Sequence, residues 1–140
     1  MSFTSNCTCF RLRRAARQVS QVYDRELAAV ELSLNEFSIL RRAEPQPSTL
    51  GELAASAGMD RSTLTRNLRP MVKAGLIEVG AAPPSQTATA RLTAEGEAAL
   101  ERCVPLWQEA QARLEAKLGA GTWQNLLGGL DRVLISAPDA

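Results

Sequence analysis

The chain contains no histidine among its 140 residues. It therefore lacks the usual general base of enzymes, the Ser-His and Cys-His nucleophile pairs, and the commonest zinc ligand. A glycine-rich phosphate-binding loop is also missing from the sequence. These absences argue against an enzyme, and we expect neither a cofactor nor a metal site that uses histidine.

Long apolar runs are missing as well. No stretch approaches the roughly eighteen residues of a membrane span, and the N-terminus shows no signal-peptide pattern. Hydrophobic residues make up 45% and charged residues 22%, which is typical of a globular chain. A length of 140 residues allows one domain with a sizeable core. We therefore expect one soluble, cytoplasmic protomer over residues 1–140.

The sequence of residues 49–76 predicts two short helices joined by a tight turn at Gly58. Thr49 and Asp60 are favourable N-cap residues, and apolar side chains recur at helical spacing after each of them. The outward face of the second helix carries four cations, no acid and several short hydrogen-bonding side chains: Arg61, Ser62, Thr63, Thr65, Arg66, Asn67, Arg69 and Lys73. Such a face suits a DNA major groove, because cations bind phosphates and polar side chains bind base edges. A solvated face on an ordinary helical hairpin is the alternative.

Charge is unevenly distributed, although the formal net charge is only +1. Four arginines and no acid lie between Arg11 and Arg17, and the second helix of the pair is basic. From Ala94 onward, seven acidic residues stand against four basic ones. This pattern indicates one side of the molecule that faces DNA and another that faces away from it.

Two short strands are predicted directly after the helix pair, at Leu76–Val79 and Ala88–Leu92, and strands in that position form a wing. Further helices are predicted from about Cys7 to Val30, from Ser33 to Ala43, after Thr93 and after Thr122. The predicted fold is mainly α. It has a winged helix-turn-helix part with a two-stranded wing over residues 33–93, and terminal helices over residues 7–31 and 94–136.

The terminal helices carry more apolar surface than a small winged domain can cover. A second copy of the chain is the simplest cover, so we expect these helices to form the dimerisation domain of a homodimer. Two-fold symmetry also places two recognition helices about 34 Å apart, which matches successive major grooves on one face of DNA.

The segment LxELAxxxxMDRSTLTRNLRPMxxAGLI, followed by a wing and then RLTAEGEAAL, resembles the MarR family of dimeric winged-helix regulators. The resemblance runs from about Cys9 to Leu118. It implies a homodimer that binds pseudo-palindromic operators in double-stranded DNA, usually as a repressor. It also implies an effector site where the dimerisation helices meet the wing domain. The DNA-contacting positions that it implies are Arg61, Ser62, Thr63, Thr65, Arg66 and Arg69.

The wing departs from the usual pattern of this family. Members usually carry Asp-x-Arg at the wing tip, whose arginine enters the minor groove, whereas the matching positions here hold Pro84 and Gln86. Arg91 is the one cation left in the wing and lies on a predicted strand. We therefore expect weaker or differently placed minor-groove contact. Compared with members that carry this arginine, the slope of log affinity against log salt concentration should be smaller by roughly one unit per protomer.

Cys7, Cys9 and Cys103 are the only cysteines, and an odd number argues against a disulfide framework. The segment CFRL that begins at Cys9, followed by Tyr23, resembles the first helix of the OhrR branch, which senses organic hydroperoxides. That resemblance implies oxidation of Cys9, a hydrogen bond between Tyr23 and its thiolate, and a resolving role for Cys103. A second tyrosine of the branch is replaced here by Arg13.

The residues themselves leave several roles open for the thiols. Cys7 and Cys9 lie at a predicted helix start beside arginines, where positive charge favours the thiolate form. Oxidation is one role, and binding of copper(I), mercury or arsenite by sulfur alone is another. For Cys103, the alternative to a resolving role is that it packs as a small hydrophobic residue in the core. The remaining alternatives are regulation by a small organic effector, no regulation at all, and a winged helix that binds protein instead of DNA.

Overall fold

A computed structural model of the chain describes residues 6–82 and 87–137. Within these ranges the chain forms six α-helices, a 3₁₀ turn and three strands, which confirms the mainly α, winged helix-turn-helix fold. The helices are α1 (Thr8–Leu27), α2 (Leu34–Arg42), α3 (Leu50–Ala57), α4 (Arg61–Lys73), α5 (Ala94–Leu118) and α6 (Ala120–Ser136), and the 3₁₀ turn is Ala28–Val30. The strands are β1 (Ser48–Thr49), β2 (Ile77–Ala82) and β3 (Thr87–Leu92).

Five of the helices begin at a residue whose side chain caps the helix, and four of these caps are serine, threonine or aspartate. The side chains of Ser33, Thr49, Asp60 and Thr93 each accept a hydrogen bond from the backbone amide three residues later. These bonds start α2, α3, α4 and α5. They confirm Thr49 and Asp60 as caps and the predicted helix starts at Ser33 and Thr93. Gly58 ends α3 in the left-handed region at φ 68°, which turns the chain towards α4.

The two predicted strands of the wing are present as β2 and β3, but the sequence prediction missed a third strand and placed the start of the last helix too late. The sheet has three strands in the order β1-β3-β2, because Ser48 and Thr49 also pair with β3. A strand of two residues is too short to show alternation in the sequence. The last helix begins at Ala120 and not after Thr122, because Gly119 adopts φ 84° and turns the chain so that the helix starts at once.

One core of buried side chains supports α4. Leu64, Leu68 and Met71 on its inner face are at most 4% exposed. They pack in one cluster with residues from α2, α3, the sheet and the start of α5: Ile39, Leu40, Ala43, Leu50, Leu53, Ala54, Ile77, Ala90, Leu92 and Ala99. Burial of each large aliphatic side chain contributes about 1.5–3 kcal/mol. The outer face of α4 therefore stands on a well-packed support.

The wing meets α5 at a closely packed junction formed by Gly75, Leu76, Thr93 and Gly96. The Thr93 hydroxyl donates to the Gly75 carbonyl at 2.6 Å and accepts the Gly96 amide at 3.0 Å. The Thr93 amide donates to the Leu76 carbonyl at 3.2 Å. Gly96 is buried, and a Cβ atom at this position would lie 2.2 Å from the Leu76 carbonyl oxygen. The junction thus holds α5 in a defined direction relative to the wing and α4.

A second buried cluster joins α1, α2 and α5 through Leu27, Phe37 and Cys103. The guanidinium carbon of Arg41 lies 4.7 Å from the centroid of the Trp107 ring, and Trp107 also contacts Phe37. Trp107 of α5 therefore packs against α2, with a cation–π contact on its face.

Polar contacts join α1 to α5 further along the two helices. The Tyr23 hydroxyl donates to Oε1 of Gln111, and Nε of Arg113 lies 2.9 Å from Oε1 of Glu26. A movement of α1 is therefore coupled to α5.

The C-terminal helix leaves an apolar surface uncovered. The α6 helix has no buried residue, and Leu126 and Leu127 are each 42% exposed. With α1 and α5 it forms a groove of about 450 Å³, the apolar groove, lined by Leu12, Ala15, Ala16, Val19, Ser20, Tyr23, Gln111, Leu114, Leu118, Trp123, Leu126, Leu127 and Leu130. None of the helices in the described ranges has both the length and the hydropathy needed to cross a bilayer.

Candidate nucleic-acid interface and thiol cleft

The outer face of α4 is basic and exposed. The helix contains no acidic residue, and its four cations all lie in solvent. The predicted DNA-contacting residues of this helix share that surface: Arg61, Ser62, Thr63, Thr65, Arg66, Arg69 and Lys73. Thr63 is half-buried and the others are exposed, so the face is accessible along its whole length.

Asp60 organises the first turns of α4 through both carboxylate oxygens. Its Oδ1 accepts the Thr63 amide and the Ser62 hydroxyl, each at 2.7 Å. Its Oδ2 accepts the Thr63 hydroxyl at 3.1 Å. The oxygen of that hydroxyl accepts in turn from Nη2 of Arg66 at 3.3 Å. Asp60, Ser62, Thr63 and Arg66 thus form one hydrogen-bonded group, the Asp60 network.

The Asp60 network lowers the pKa of the Asp60 carboxyl from 3.8 to about 2. The hydrogen bond from the Ser62 hydroxyl is the largest cause, the two bonds from Thr63 follow, and the charge of Arg66 adds a smaller effect. Because the pKa is lower in the folded state, the carboxylate stabilises the fold above pH 3.8. This contribution is lost as the pH falls towards 2. Near neutral pH the Asp60 carboxyl is therefore ionised.

Other polar side chains of α4 bond to the helix backbone. The Thr65 hydroxyl donates to the Arg61 carbonyl at 2.8 Å, and Nδ2 of Asn67 donates to the Thr63 carbonyl at 2.8 Å. The hydroxyl protons of Ser62 and Thr65 are therefore engaged within the helix, while their oxygens keep acceptor capacity. The cations are the main donors that this face presents to DNA.

The cation of the wing is paired across the sheet. Glu78 and Arg91 are register partners on β2 and β3, and their side chains form an ion pair at 2.5 Å. Residues 77–92 contain no other charged side chain, so this segment has no net charge. Pro84 and Gln86, the predicted wing-tip positions, lie outside the described residues. Arg91 is therefore a weaker candidate for DNA contact than the cations of α4.

Two thiols lie among arginines at the start of α1. Cys7 is the N-cap residue, and its Sγ accepts the Phe10 amide at 3.4 Å. Cys9 is exposed and lies four residues before Arg13, which puts both on one side of the helix. A cleft of about 620 Å³, the thiol cleft, is lined by Cys7, Cys9, Phe10, Arg13, Arg14 and Arg17. The lining of the thiol cleft thus contains two cysteines and three arginines.

Known proteins share this arrangement of helices and wing. A family profile described as a helix-turn-helix domain matches residues 27–80. The transcriptional regulator MosR of M. tuberculosis is 38% identical over 99% of this chain and 100% of that chain, with a TM-score of 0.83. MarR from E. coli, in its oxidised form, shares the fold at 22% identity over 93% and 96% of the two chains, with a TM-score of 0.75. The chain belongs to the MarR family of winged-helix transcription regulators.

The transcriptional repressor CouR, solved bound to a 23-mer DNA duplex, is also similar to this MarR-family chain. It is 25% identical over 91% of this chain and 92% of that chain, with a TM-score of 0.77. No curated protein shows a detectable match.

In this MarR-family protein, two of the predicted sensor residues lie far apart on α1. Cys9 and Tyr23 are separated by about 21 Å along the helix, at a rise of about 1.5 Å per residue. Tyr23 donates instead to Gln111, and burial raises the pKa of its hydroxyl. The structure therefore does not bring Tyr23 to the Cys9 thiolate within one protomer.

Cys103 is fully buried against Leu27 and Phe37. Burial raises the pKa of its thiol, and the opposing charge of Arg102 offsets this only in part. A buried, protonated thiol is a poor nucleophile. Leu27 also lies at the far end of α1 from Cys9, so the resolving role expected for Cys103 is not supported within one protomer. The position of Cys103 fits the alternative interpretation, in which it packs as a small hydrophobic residue in the core.

The soft-metal alternative rests on Cys7 and Cys9 alone. Within the described ranges, no group of three or more cysteine, aspartate or glutamate side chains is arranged to hold a metal ion. Nothing in the structure therefore favours a metal over an oxidant at the thiol cleft.

The role of Asp60 beyond capping is the part of this site that sequence reasoning missed. Asp60, Thr63 and Arg66 are spaced three residues apart, which places their side chains on one side of the first two turns. An acid, a hydroxyl and a cation at this spacing form a signal that predicts the network.

Proposed function

We propose that the protein is a homodimeric repressor. It binds a pseudo-palindromic operator through its two α4 helices and is released when its N-terminal thiols are oxidised. The observation that carries the proposal is the outer face of α4, where four cations and the Asp60 network stand on a buried support. MosR, at 40% identity, has been solved in complex with DNA, and CouR is named a repressor.

The charge distribution supports DNA contact by α4 more than by the wing. Each α4 carries Arg61, Arg66, Arg69 and Lys73 without an acid, whereas residues 77–92 have no net charge. Each neutralised phosphate adds about 0.9 to the slope of log affinity against log salt concentration. Binding should therefore weaken steeply as salt rises. A winged helix that binds protein would lack this dependence, because counterion release is a property of the polyanion.

The apolar groove supports a homodimer. Its α6 wall has no buried residue in one protomer, although it presents Leu126, Leu127 and Leu130. Helix faces of this kind are covered in stable proteins, and a second copy of the chain offers the same apolar surface in return. In such a dimer two α4 helices can contact successive major grooves.

The thiol cleft is the proposed site at which an oxidant reacts with the protein. An organic hydroperoxide gives one oxygen atom to the Cys9 thiolate, so Cys9 becomes a sulfenic acid and the hydroperoxide leaves as an alcohol. The Cys7 thiol then condenses with the sulfenic acid, which forms a disulfide and releases water. Both cysteines line the same cleft. Cys7 also caps α1, so the reaction removes the thiol that accepts the Phe10 amide.

Contacts along α1 connect this reaction to the DNA-binding face. Tyr23 and Glu26 bind α1 to Gln111 and Arg113 of α5. The α5 helix begins at the junction with the wing, where Thr93 is bonded to the end of the α4 segment. A shift of α1 therefore changes the spacing of the two α4 helices in the dimer.

Reduced wild-type protein is expected to bind a duplex from the region upstream of its own gene and to lower transcription from it in vitro. Cumene hydroperoxide is expected to weaken this binding by about tenfold or more, within the usual range of allosteric coupling. Gel-shift titrations measure both states, and mass spectrometry detects the disulfide. Cys9→Ser should bind DNA and no longer respond to the oxidant.

Cys103→Ala is the matched control for this experiment. It should respond to hydroperoxide like the wild type, because its thiol is buried away from the thiol cleft. If Cys9→Ser is released as readily as the wild type, thiol oxidation is not the signal. If the reduced wild type leaves the upstream duplex unbound and its transcription unchanged, repression of its own gene is wrong.

A further inference from the structure

The Asp60 network contains a bond that capping does not require. The cap is complete once Oδ1 of Asp60 accepts the Thr63 amide. The second oxygen, Oδ2, accepts the Thr63 hydroxyl at 3.1 Å, and that hydroxyl accepts from Arg66 at 3.3 Å. We propose that Thr63 is a positioning residue that orients the Arg66 guanidinium for binding to a base and thereby sets the sequence specificity of the protein. This inference rests on the proposed function of α4.

A second threonine in the same helix shows that this arrangement is not the default. The Thr65 hydroxyl donates to the Arg61 carbonyl, four residues earlier, at 2.8 Å. This is a common bond for threonine within a helix. The Thr63 hydroxyl donates to Asp60 instead, so its single proton is directed away from Arg66 and its lone pairs remain for the guanidinium. The Asp60 carboxylate thus orients the Thr63 hydroxyl, and the hydroxyl orients Arg66.

The orientation of Arg66 matters for bases more than for phosphates. An arginine carries five N–H donors, so the bond to Thr63 leaves a pair available for the two acceptors of guanine. Such bidentate binding requires a defined guanidinium plane, and a side chain held before binding loses less rotamer entropy. A phosphate accepts a guanidinium in many orientations. The Asp60 carboxylate also lies near Arg66 and offsets part of its positive charge, which would weaken Arg66 as a simple phosphate-binding cation.

The test compares Thr63→Val with Thr63→Ser. Valine keeps the shape of threonine and has a similar helix propensity, and the Thr63 amide remains to complete the cap. A nuclease footprint of the wild type first identifies the protected segment of the upstream duplex. Affinities are then measured by fluorescence anisotropy for this segment and for a shuffled duplex of equal composition. Thr63→Val is expected to lower the ratio of the two affinities by about tenfold with an unchanged salt slope, because each of the two protomers keeps Arg66 but loses part of its base contact. Thr63→Ser keeps the hydroxyl and should retain the ratio within about twofold.

A double-mutant cycle separates positioning from a general effect on the fold. Once Arg66→Ala has removed the guanidinium, Thr63→Val should cause no further loss of the affinity ratio. The inference would be overturned if Thr63→Val lowered the affinity ratio equally with and without Arg66, or if it weakened binding to both duplexes equally. DNA binding by α4 would still stand in either case. A wild type that does not prefer the protected segment would overturn the proposed function together with the inference.

Discussion

Leu126→Asp is expected to convert the proposed homodimer into monomers at micromolar concentration and to abolish operator binding. Leu126 lines the apolar groove and is 42% exposed in one protomer. Two-fold symmetry makes the substitution act twice in each dimer. A loss of about 2 kcal/mol of apolar burial per copy weakens the dimer roughly 1,000-fold, and burial of an unpaired carboxylate adds to this. Sedimentation equilibrium measures the dimer, and a gel shift measures DNA binding.

Asn125→Asp is the matched control, because it adds the same charge at an exposed position of α6 that does not line the apolar groove. It should remain dimeric and bind the operator like the wild type. Circular dichroism should show that the Leu126→Asp monomer keeps its helices. If Leu126→Asp sediments as a dimer, the apolar groove is not the subunit interface.

Gly96→Ala is expected to lower the free energy of unfolding by about 3 kcal/mol, the upper part of the usual range for overpacking. The new Cβ atom would lie 2.2 Å from the Leu76 carbonyl oxygen and 2.6 Å from Cδ1 of Leu92. The Leu76 carbonyl also accepts the Thr93 amide, so it cannot move away without loss of that bond. The junction that directs α5 relative to α4 is therefore disturbed, and operator affinity should fall as well. Urea denaturation gives the free energy.

Gly51→Ala supplies the comparison for Gly96→Ala, since Gly51 also lies within a helix of the winged part. A Cβ atom there meets only Thr49 Oγ1, at 4.0 Å. The change should therefore be neutral or stabilise the protein by up to about 1 kcal/mol. Equal stability of Gly96→Ala and the wild type would show that the junction is loosely packed.

The elements whose signals are local could be predicted from the sequence. The caps Ser33, Thr49, Asp60 and Thr93 each bond to an amide three residues away, so they mark helix starts without any knowledge of tertiary structure. The basic face of α4 follows in the same way, because helical spacing alone separates its cations from its buried leucines.

Pairings between distant segments could not be predicted in this way. The ion pair between Glu78 and Arg91 depends on the register of β2 and β3, and the bond from Tyr23 to Gln111 depends on how α1 packs on α5. Arg91 was expected to contact DNA and Tyr23 to bond to a thiolate, and these two contacts engage their side chains instead. The separation of Cys9 and Tyr23, in contrast, follows from one continuous helix and was available from the sequence.

DNA recognition by α4 is tested most directly by a gel-shift titration of Arg66→Ala against the wild type on the upstream duplex. Each dimer would lose two base-contacting guanidinium groups, so affinity should fall by about 100-fold. Arg102→Ala, which removes an exposed cation from α5, is the control and should bind like the wild type. An operator affinity of Arg66→Ala equal to that of the wild type would contradict recognition by this helix.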